Sequence, residues 1–240
     1  MLGATVQIAA VIPARGGSKG VPRKNLLRLG SHTLVALAVR CAQRAGIETI
    51  LLSTDDTEIA EEGRRAGAQV PTLRPAELAS DSSRTIDAVL HVLAAARCQP
   101  DAVLLLQPTS PLRRAEDLRA AIALLETRTD ADAVVSVARL EEPHPAKVKR
   151  IENGWLAPFL PGGSSETPRQ ELPRAWRLNG AIYLARYEAI LRDRSLLPRA
   201  TLPLEMPAER SLNIDHSFDV VLVQALLERG LVELDAEGGE

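Results

Sequence analysis

Short apolar runs bounded by turn residues alternate along this chain with stretches of helical periodicity. The pairs are 8–13 then 33–45, 49–53 then 58–66, and 70–73 then 85–96, followed by a run at 102–107, a helix at 115–126 and a run at 133–137. A strand whose residues are apolar without alternation is buried on both faces. A helix between successive strands returns the chain across the sheet in a right-handed parallel crossover. The pattern predicts an α/β fold built on a doubly wound, mostly parallel sheet. Further strands are expected at 180–184 and 200–204, with a closing helix at 218–227. A chain of 240 residues with this regularity is expected to form a single domain over 1–240.

The regularity breaks at 140–174, where proline, glycine and charge take over and Trp155 and Phe159 stand among turn residues. A hairpin around 146–159 has no free sheet face to cover, because helices already occupy both. This excursion is therefore expected to pack on a second subunit.

Composition excludes several classes. The formal net charge is -2 and aromatics make up 2%, so neither a basic face nor stacking platforms for nucleic acid are expected. Cys41 and Cys98 lie far apart in helical stretches without metal-ligand spacing, which predicts buried reduced thiols. No leader pattern and no membrane-length apolar run is visible, so a cytoplasmic protein without a membrane partner is expected.

The first apolar run breaks into Ile12-Pro-Ala-Arg-Gly-Gly-Ser-Lys-Gly-Val-Pro-Arg-Lys-Asn25. Open parallel sheets bind ligands beyond the carboxyl ends of their strands. There, Gly16, Gly17 and Gly20 let backbone N–H groups approach anionic oxygens, while Arg15, Lys19 and Lys24 add charge and Ser18 a hydroxyl. Pro13 and Pro22 brace the loop. The spacing is neither a Walker A loop nor GxGxxG, yet the chemistry is that of a phosphate site.

Other strand ends carry polar groups with structural and functional readings side by side. Gln107 can donate and accept at once, which suits a nucleobase or sugar edge as well as a structural role. Ser110 or a neighbour is expected to cap the next helix, and Ser53-Thr-Asp-Asp56 to cap another. Arg74 is brought to a sheet end, and the polar run after it into Thr85 is read as a further cap. Asn213 and Asp215 fall on one face of an extended segment, where two oxygens can share a magnesium ion; capping of the last helix by Asp215 or Ser217 is the alternative.

Taken together, residues 12–25, Leu73-Arg-Pro-Ala-Glu-Leu-Ala79, Leu105-Leu-Gln-Pro-Thr-Ser-Pro-Leu-Arg113, Pro168-Arg-Gln170, Arg177-Leu-Asn-Gly-Ala-Ile-Tyr183 and Asn213-Ile-Asp215 resemble the acylneuraminate cytidylyltransferases, also called CMP-sialic acid synthetases. The resemblance implies a Rossmann-like nucleotidyltransferase, active as a homodimer with Mg2+. It would move CMP from CTP to the anomeric hydroxyl of a nonulosonic acid such as sialic, legionaminic or pseudaminic acid and release pyrophosphate. It implies that Arg15, Ser18, Lys19, Lys24 and Asn25 hold the triphosphate over Gly16 and Gly17, with Arg15 and Lys24 nearest the chemistry. Arg74 would lie near base or ribose, and Gln107 between nucleotide and sugar. Thr85, Arg169, Arg177 and Tyr183 would face the sugar, the two arginines suiting its carboxylate.

The best-known members read Asp-Ile-Asp where this chain has Asn213-Ile-Asp215, which gives the main metal role, and a catalytic one, to Asp215 and puts Asn213 in question. The Kdo cytidylyltransferases spell the first loop differently, which ranks Kdo below the nine-carbon acids. Transfer to another sugar, or nucleotide binding without catalysis, are the remaining readings.

Overall fold

The computed structural model describes residues 6–18, 20–162 and 166–235. In chain order the elements are β1 (Ile8–Pro13), β2 (Arg28–Leu29), β3 (His32–Thr33), α1 (Leu34–Arg44), β4 (Thr49–Ser53), α2 (Thr57–Ala66), α3 (Ala76–Ala79), α4 (Thr85–Ala95) and β5 (Ala102–Leu105). They continue with α5 (Ala115–Thr127), β6 (Ala133–Arg139), β7 (Lys149–Glu152), β8 (Trp155–Pro158), β9 (Trp176–Arg186), α6 (Tyr187–Asp193), β10 (Thr201–Glu205) and α7 (Ser217–Glu228).

The central sheet has the order β10-β6-β9-β5-β1-β4. β1 pairs in parallel with β4 and β5, and β6 with β10, while β9 runs antiparallel between β5 and β6. The doubly wound, mostly parallel expectation holds. The unalternating runs are buried on both sides: Ala10 and Ile12 of β1 pack with Val35, Val39 and Leu118 of α1 and α5. Ala9 and Val11 pack with Val89, Leu93 and Ile190 of α4 and α6. A third cluster joins Val21, Leu34 and Leu112 to Ile214 and Val223.

The strand expected at 70–73 does not form. The chain pairs with β4 through a single bridge, Leu51 to Gln69, before Pro71 ends the ladder by lacking an N–H. Cys98 lies just past the end of α4 and is half-buried, whereas Cys41 is buried and its thiol is pushed up to about 12 by desolvation. Among the described residues no helix is long and apolar enough to cross a membrane.

The excursion contains the expected hairpin, β7 paired with β8 around Asn153 and Gly154, both at positive φ. That dipeptide supplies the positive φ at both central positions that a two-residue turn needs to follow the right-handed twist of the strands. Ile151, Trp155 and Leu156 are at least three-quarters exposed, so the hairpin buries little against its own sheet.

β9 is kinked where Gly180 takes φ 75° and the β6 register shifts between Val135 and Val137. Side chains satisfy the disturbed ladder. Ser136 Oγ donates to Asn179 Oδ1 at 2.5 Å and accepts the Ile182 N–H at 2.8 Å, and Asn179 Nδ2 donates to Ser211 Oγ at 2.9 Å. All three side chains are buried. Truncating Asn179 removes one bond from each hydroxyl and takes away the acceptor of the Ala181 N–H, which donates to Asn179 Oδ1 at 3.1 Å, so Asn179→Ala is expected to lower stability by about 2 kcal/mol, read as a shift of the urea midpoint.

Candidate active site

The glycine loop after β1 is fixed from several sides. Gly16 N–H donates to Asp55 Oδ1 at 2.9 Å, and a Cβ on Gly16 would lie 2.8 Å from Asp56 Oδ2. Asp56 caps α2 by accepting the N–H groups of Glu58 and Ile59, as the sequence leads one to expect. A Cβ on Gly20 would lie 1.9 Å from the Asp215 carbonyl oxygen, whereas one on Gly17 would meet nothing within 4 Å. Gly16 and Gly20 thus serve close packing, and Gly17 presents bare backbone to the open side. Asn25, buried, donates to the Arg15 carbonyl at 2.9 Å, so it braces the loop from behind. Lys19 lies outside the described residues.

A cleft of about 300 Å³ opens there. Arg15, Gly17, Ser18, Lys24, Asn25 and Arg74 form one wall, and Gln107, Pro108 and Thr109 form the other. It lies between the ends of β1 and β5, where the chain leaves β1 to build β4 on one side and then β5 on the other, the switch point of such a sheet. Arg15 pairs with Asp81 at 2.6 Å, and Lys24 Nζ with Asp215 Oδ1 at 2.9 Å. Arg74 is buried against Ser53, bonding its hydroxyl and its carbonyl. Burial, with Arg15 adding to it, pushes the Arg74 guanidinium pKa down, while Asp55 opposes the change.

Sequence reasoning missed the cleft's roof. Residues 80–85 read as a cap for α4, but Arg84 holds the N-cap position and no side chain caps the helix. Ser80, Asp81, Ser83 and Thr85 line the cleft instead, and the buried Ser83 hydroxyl has no hydrogen-bond partner. A polar run longer than one cap requires was the available signal.

The segment before α7 packs beside the cleft, against the glycine loop and Thr109. Ile214, fully buried, donates its N–H to the Thr109 carbonyl at 2.8 Å. Asp219, rather than Asp215 or Ser217, tends the helix start by accepting the N–H groups of Asp215 and His216 at 2.8 and 2.7 Å. Burial alone would raise the Asp219 pKa; these donors, with His216 and Lys24 nearby, hold it below the usual carboxylate range. Ser110 does not cap α5 either. Asp117 does that by accepting the Arg114 N–H, and Ser110 Oγ lies 3.4 Å from the Asn179 carbonyl and 3.3 Å from Asn213 Oδ1.

Asn213 and Asp215 do not aim two oxygens at one point: the Asn213 amide donates to Asp215 Oδ2 at 2.6 Å. Among the described residues no group of three or more His, Cys, Asp or Glu side chains forms a metal cage. Magnesium needs only one or two protein carboxylates when substrate phosphates and waters complete its shell, so Asp215 beside the phosphate loop fits that ion.

Of the residues expected on the sugar side, Thr85, Gln107 and Tyr183 border a second hollow of about 370 Å³, with Ile86, Leu196 and Leu197. Thr85 and Gln107 line both hollows. Burial raises the Tyr183 phenol pKa. Gln107 Oε1 lies 2.9 Å from the point where a Cβ on Gly180 would stand. Arg177 instead donates to the Ser211 carbonyl at 2.9 Å, and Arg169 pairs with Glu141 in a separate hollow of the excursion. One copy of the chain therefore brings neither arginine into the cleft.

A mostly parallel sheet with an anion cradle at its switch point defines a nucleotide-binding α/β protein. Residues 9–155 match the family model described as cytidylyltransferase, and the chain belongs to that family. It is 34% identical to the CMP-N,N'-diacetyllegionaminic acid synthase of Legionella pneumophila, over 93% of this chain and 97% of that protein. It is 30% identical to an N-acylneuraminate cytidylyltransferase of Escherichia coli, over 93% of this chain but 52% of that longer protein. A Campylobacter coli protein named post-translational flagellin modification protein B is 27% identical, over 92% of this chain and 95% of its own length. Among solved structures, CMP:2-keto-3-deoxy-manno-octonic acid synthetase complexed with CTP shares the fold at TM-score 0.70 and 19% identity, covering 93% of this chain and 99% of that one.

Gly20 is the position where loop and Asp215 segment meet without room for a side chain. Gly20→Ala is expected to weaken CTP binding tenfold or more by calorimetric titration, because relieving about 1–3 kcal/mol of overpacking requires the loop to move.

Proposed function

We propose that this protein transfers CMP from CTP to the anomeric hydroxyl of a nonulosonic acid and releases pyrophosphate. The observation that carries the reading is the convergence of Arg15, Lys24 and Arg74 with the bare backbone of Gly17 in one cleft, with Asp215 paired to Lys24 beside it. Three cations and free N–H groups select a polyphosphate. The relatives named for legionaminic and acylneuraminic acids support a nine-carbon acceptor.

In this reading the acceptor hydroxyl attacks the α-phosphorus and gives up its proton to solvent as the new oxygen–phosphorus bond forms, while the bond from the α-phosphorus to the bridging oxygen breaks and that oxygen leaves with pyrophosphate. Gly17 N–H and Ser18 receive the leaving pyrophosphate, and Lys24 and Arg15 offset the charge that grows on it. Lys19 joins them by the family pattern. Arg74 orients base and ribose from its buried seat on Ser53. Magnesium, when held by Asp215, would supply Lewis-acid polarisation of the phosphate. Gln107 and Thr85, shared by both hollows, mark the seam between nucleotide and acceptor, and Tyr183 packs beside the sugar.

The excursion completes the acceptor site from a second copy, which covers Ile151, Trp155 and Leu156 and carries Arg169 across to the acid's carboxylate. The nucleotide donor places the reaction in the cytoplasm.

Pyrophosphate release with CTP and Mg2+ across sialic, legionaminic and pseudaminic acids and Kdo tests the reading. Turnover with a nine-carbon acid and little with Kdo is expected; no turnover with any acid would overturn it. Lys24→Ala is expected to reduce kcat about 10²–10³-fold with an unchanged urea midpoint. Light scattering at micromolar concentration is expected to give twice the 25.9 kDa chain mass. Trp155→Glu should return the protein to a monomer.

A further inference from the structure

Where its best-known relatives carry a second carboxylate, this chain has Asn213, and every polar atom of that side chain is already engaged. Its Nδ2 donates to Asp215 Oδ2 at 2.6 Å and its Oδ1 lies 3.3 Å from Ser110 Oγ. The orientation is dictated by chemistry. Only the NH2 arm of an amide can meet a carboxylate, and the hydroxyl can donate to the oxygen arm.

Asp215 is thereby fixed at three points. Lys24 Nζ holds Oδ1 at 2.9 Å, Asn213 holds Oδ2, and Asp219 accepts the Asp215 N–H at 2.8 Å. Ser110, which steadies Asn213, is itself buried against the Asn179 carbonyl. A carboxylate at position 213 would set two negative groups within hydrogen-bond distance and require a cation or a proton between them. The amide needs neither, and its NH2 arm cannot ligate a metal.

We propose that Asn213 is a positioning residue, a donor that fixes the Asp215 carboxylate, and that Asp215 is the sole protein ligand this segment offers a divalent ion. The inference rests on the cytidylyltransferase reading of the same cleft. It assigns to this chain a metal site with one carboxylate fewer and an orienting amide in its place.

The test is a crystal structure of the protein with Mn2+ and CTP, without acceptor, paired with kinetics of Asn213→Ala and Ser110→Ala. The anomalous Mn2+ peak is expected within about 2.1 Å of an Asp215 oxygen, with Asn213 Oδ1 still on Ser110 and outside the ion's shell. Loss of an orienting partner typically costs about 10–100-fold, so Asn213→Ala should lower kcat by that factor while KM for CTP stays within twofold. Ser110→Ala should show a smaller effect of the same kind, which keeps the inference exposed if Asn213→Ala fails to fold. Direct ligation of Mn2+ by Asn213 Oδ1, or normal kcat in both variants, would overturn it. Failure of the parent reading looks different, because the wild-type protein would then release no pyrophosphate with any acid.

Discussion

The contact on which the site depends joins two ends of the chain: the glycine loop after β1 lies directly against the segment that enters α7. Gly20 leaves no space for a β-carbon before the Asp215 carbonyl, and Lys24 reaches Asp215 beside it. Beneath this contact, Val21 from the loop, Ile214 from the segment and Val223 from α7 share one apolar cluster. Burying an aliphatic side chain of that size stabilises by about 1.5–3 kcal/mol, so the polar apposition rests on an apolar foundation. The phosphate cradle and the carboxylate opposite it are consequently one rigid unit, not two loops that must find each other on binding.

The reversed strand β9 serves the same unit from the other side. Entering the sheet at the carboxyl ends of its neighbours, it delivers Asn179 and Gly180 beneath Gln107, Ser110 and Asn213. The buried Arg113 fastens this junction by donating from Nη1 to the Ala181 carbonyl at 2.9 Å. A parallel strand here would begin at the opposite edge and bring its first residues to the wrong end. The bulge at Ser136 and the positive φ of Gly180 are the local cost of fitting it, offset by side-chain hydrogen bonds in which Asn179 and Ser136 accept the N–H groups of Ala181 and Ile182.

Much of this was legible in the sequence, for identifiable reasons. Strands buried on both faces declare themselves by continuous apolar runs, and β1, β4, β5 and β6 lie where those runs predict. The break at 140–174 pointed to a hairpin excursion, and its turn falls on Asn153 and Gly154, both at positive φ. The direction of β9 was not legible, since periodicity reports burial and not the partner strand. Residues 70–73 misled because Val70 and Leu73 outweighed Pro71, whose missing N–H decided the matter. Within the site, residue type predicted the cradle, but Ser110, Asp117 and Asp219 show why caps are hard to assign: a polar side chain near a helix start has several acceptors and donors within reach, and only the tertiary fold selects among them.

The charge balance of the cleft follows from how it is satisfied without nucleotide. Arg15 rests on Asp81, Lys24 on Asp215, and Arg74 lies in the field of Asp55. The Arg15 and Lys24 pairs are partly exposed, so solvent screens them and they yield to a stronger partner. A triphosphate that takes Lys24 for itself would leave the Asp215 carboxylate without that cation, beside the ligand's own negative charge. In the proposed reaction a divalent cation entering with the nucleotide would meet that deficit at Asp215, whose carboxylate accepts from the amide of Asn213. In the proposed reaction a preference for metal-bound triphosphate would draw on the Asp215 carboxylate as much as on the cations that attract the ligand.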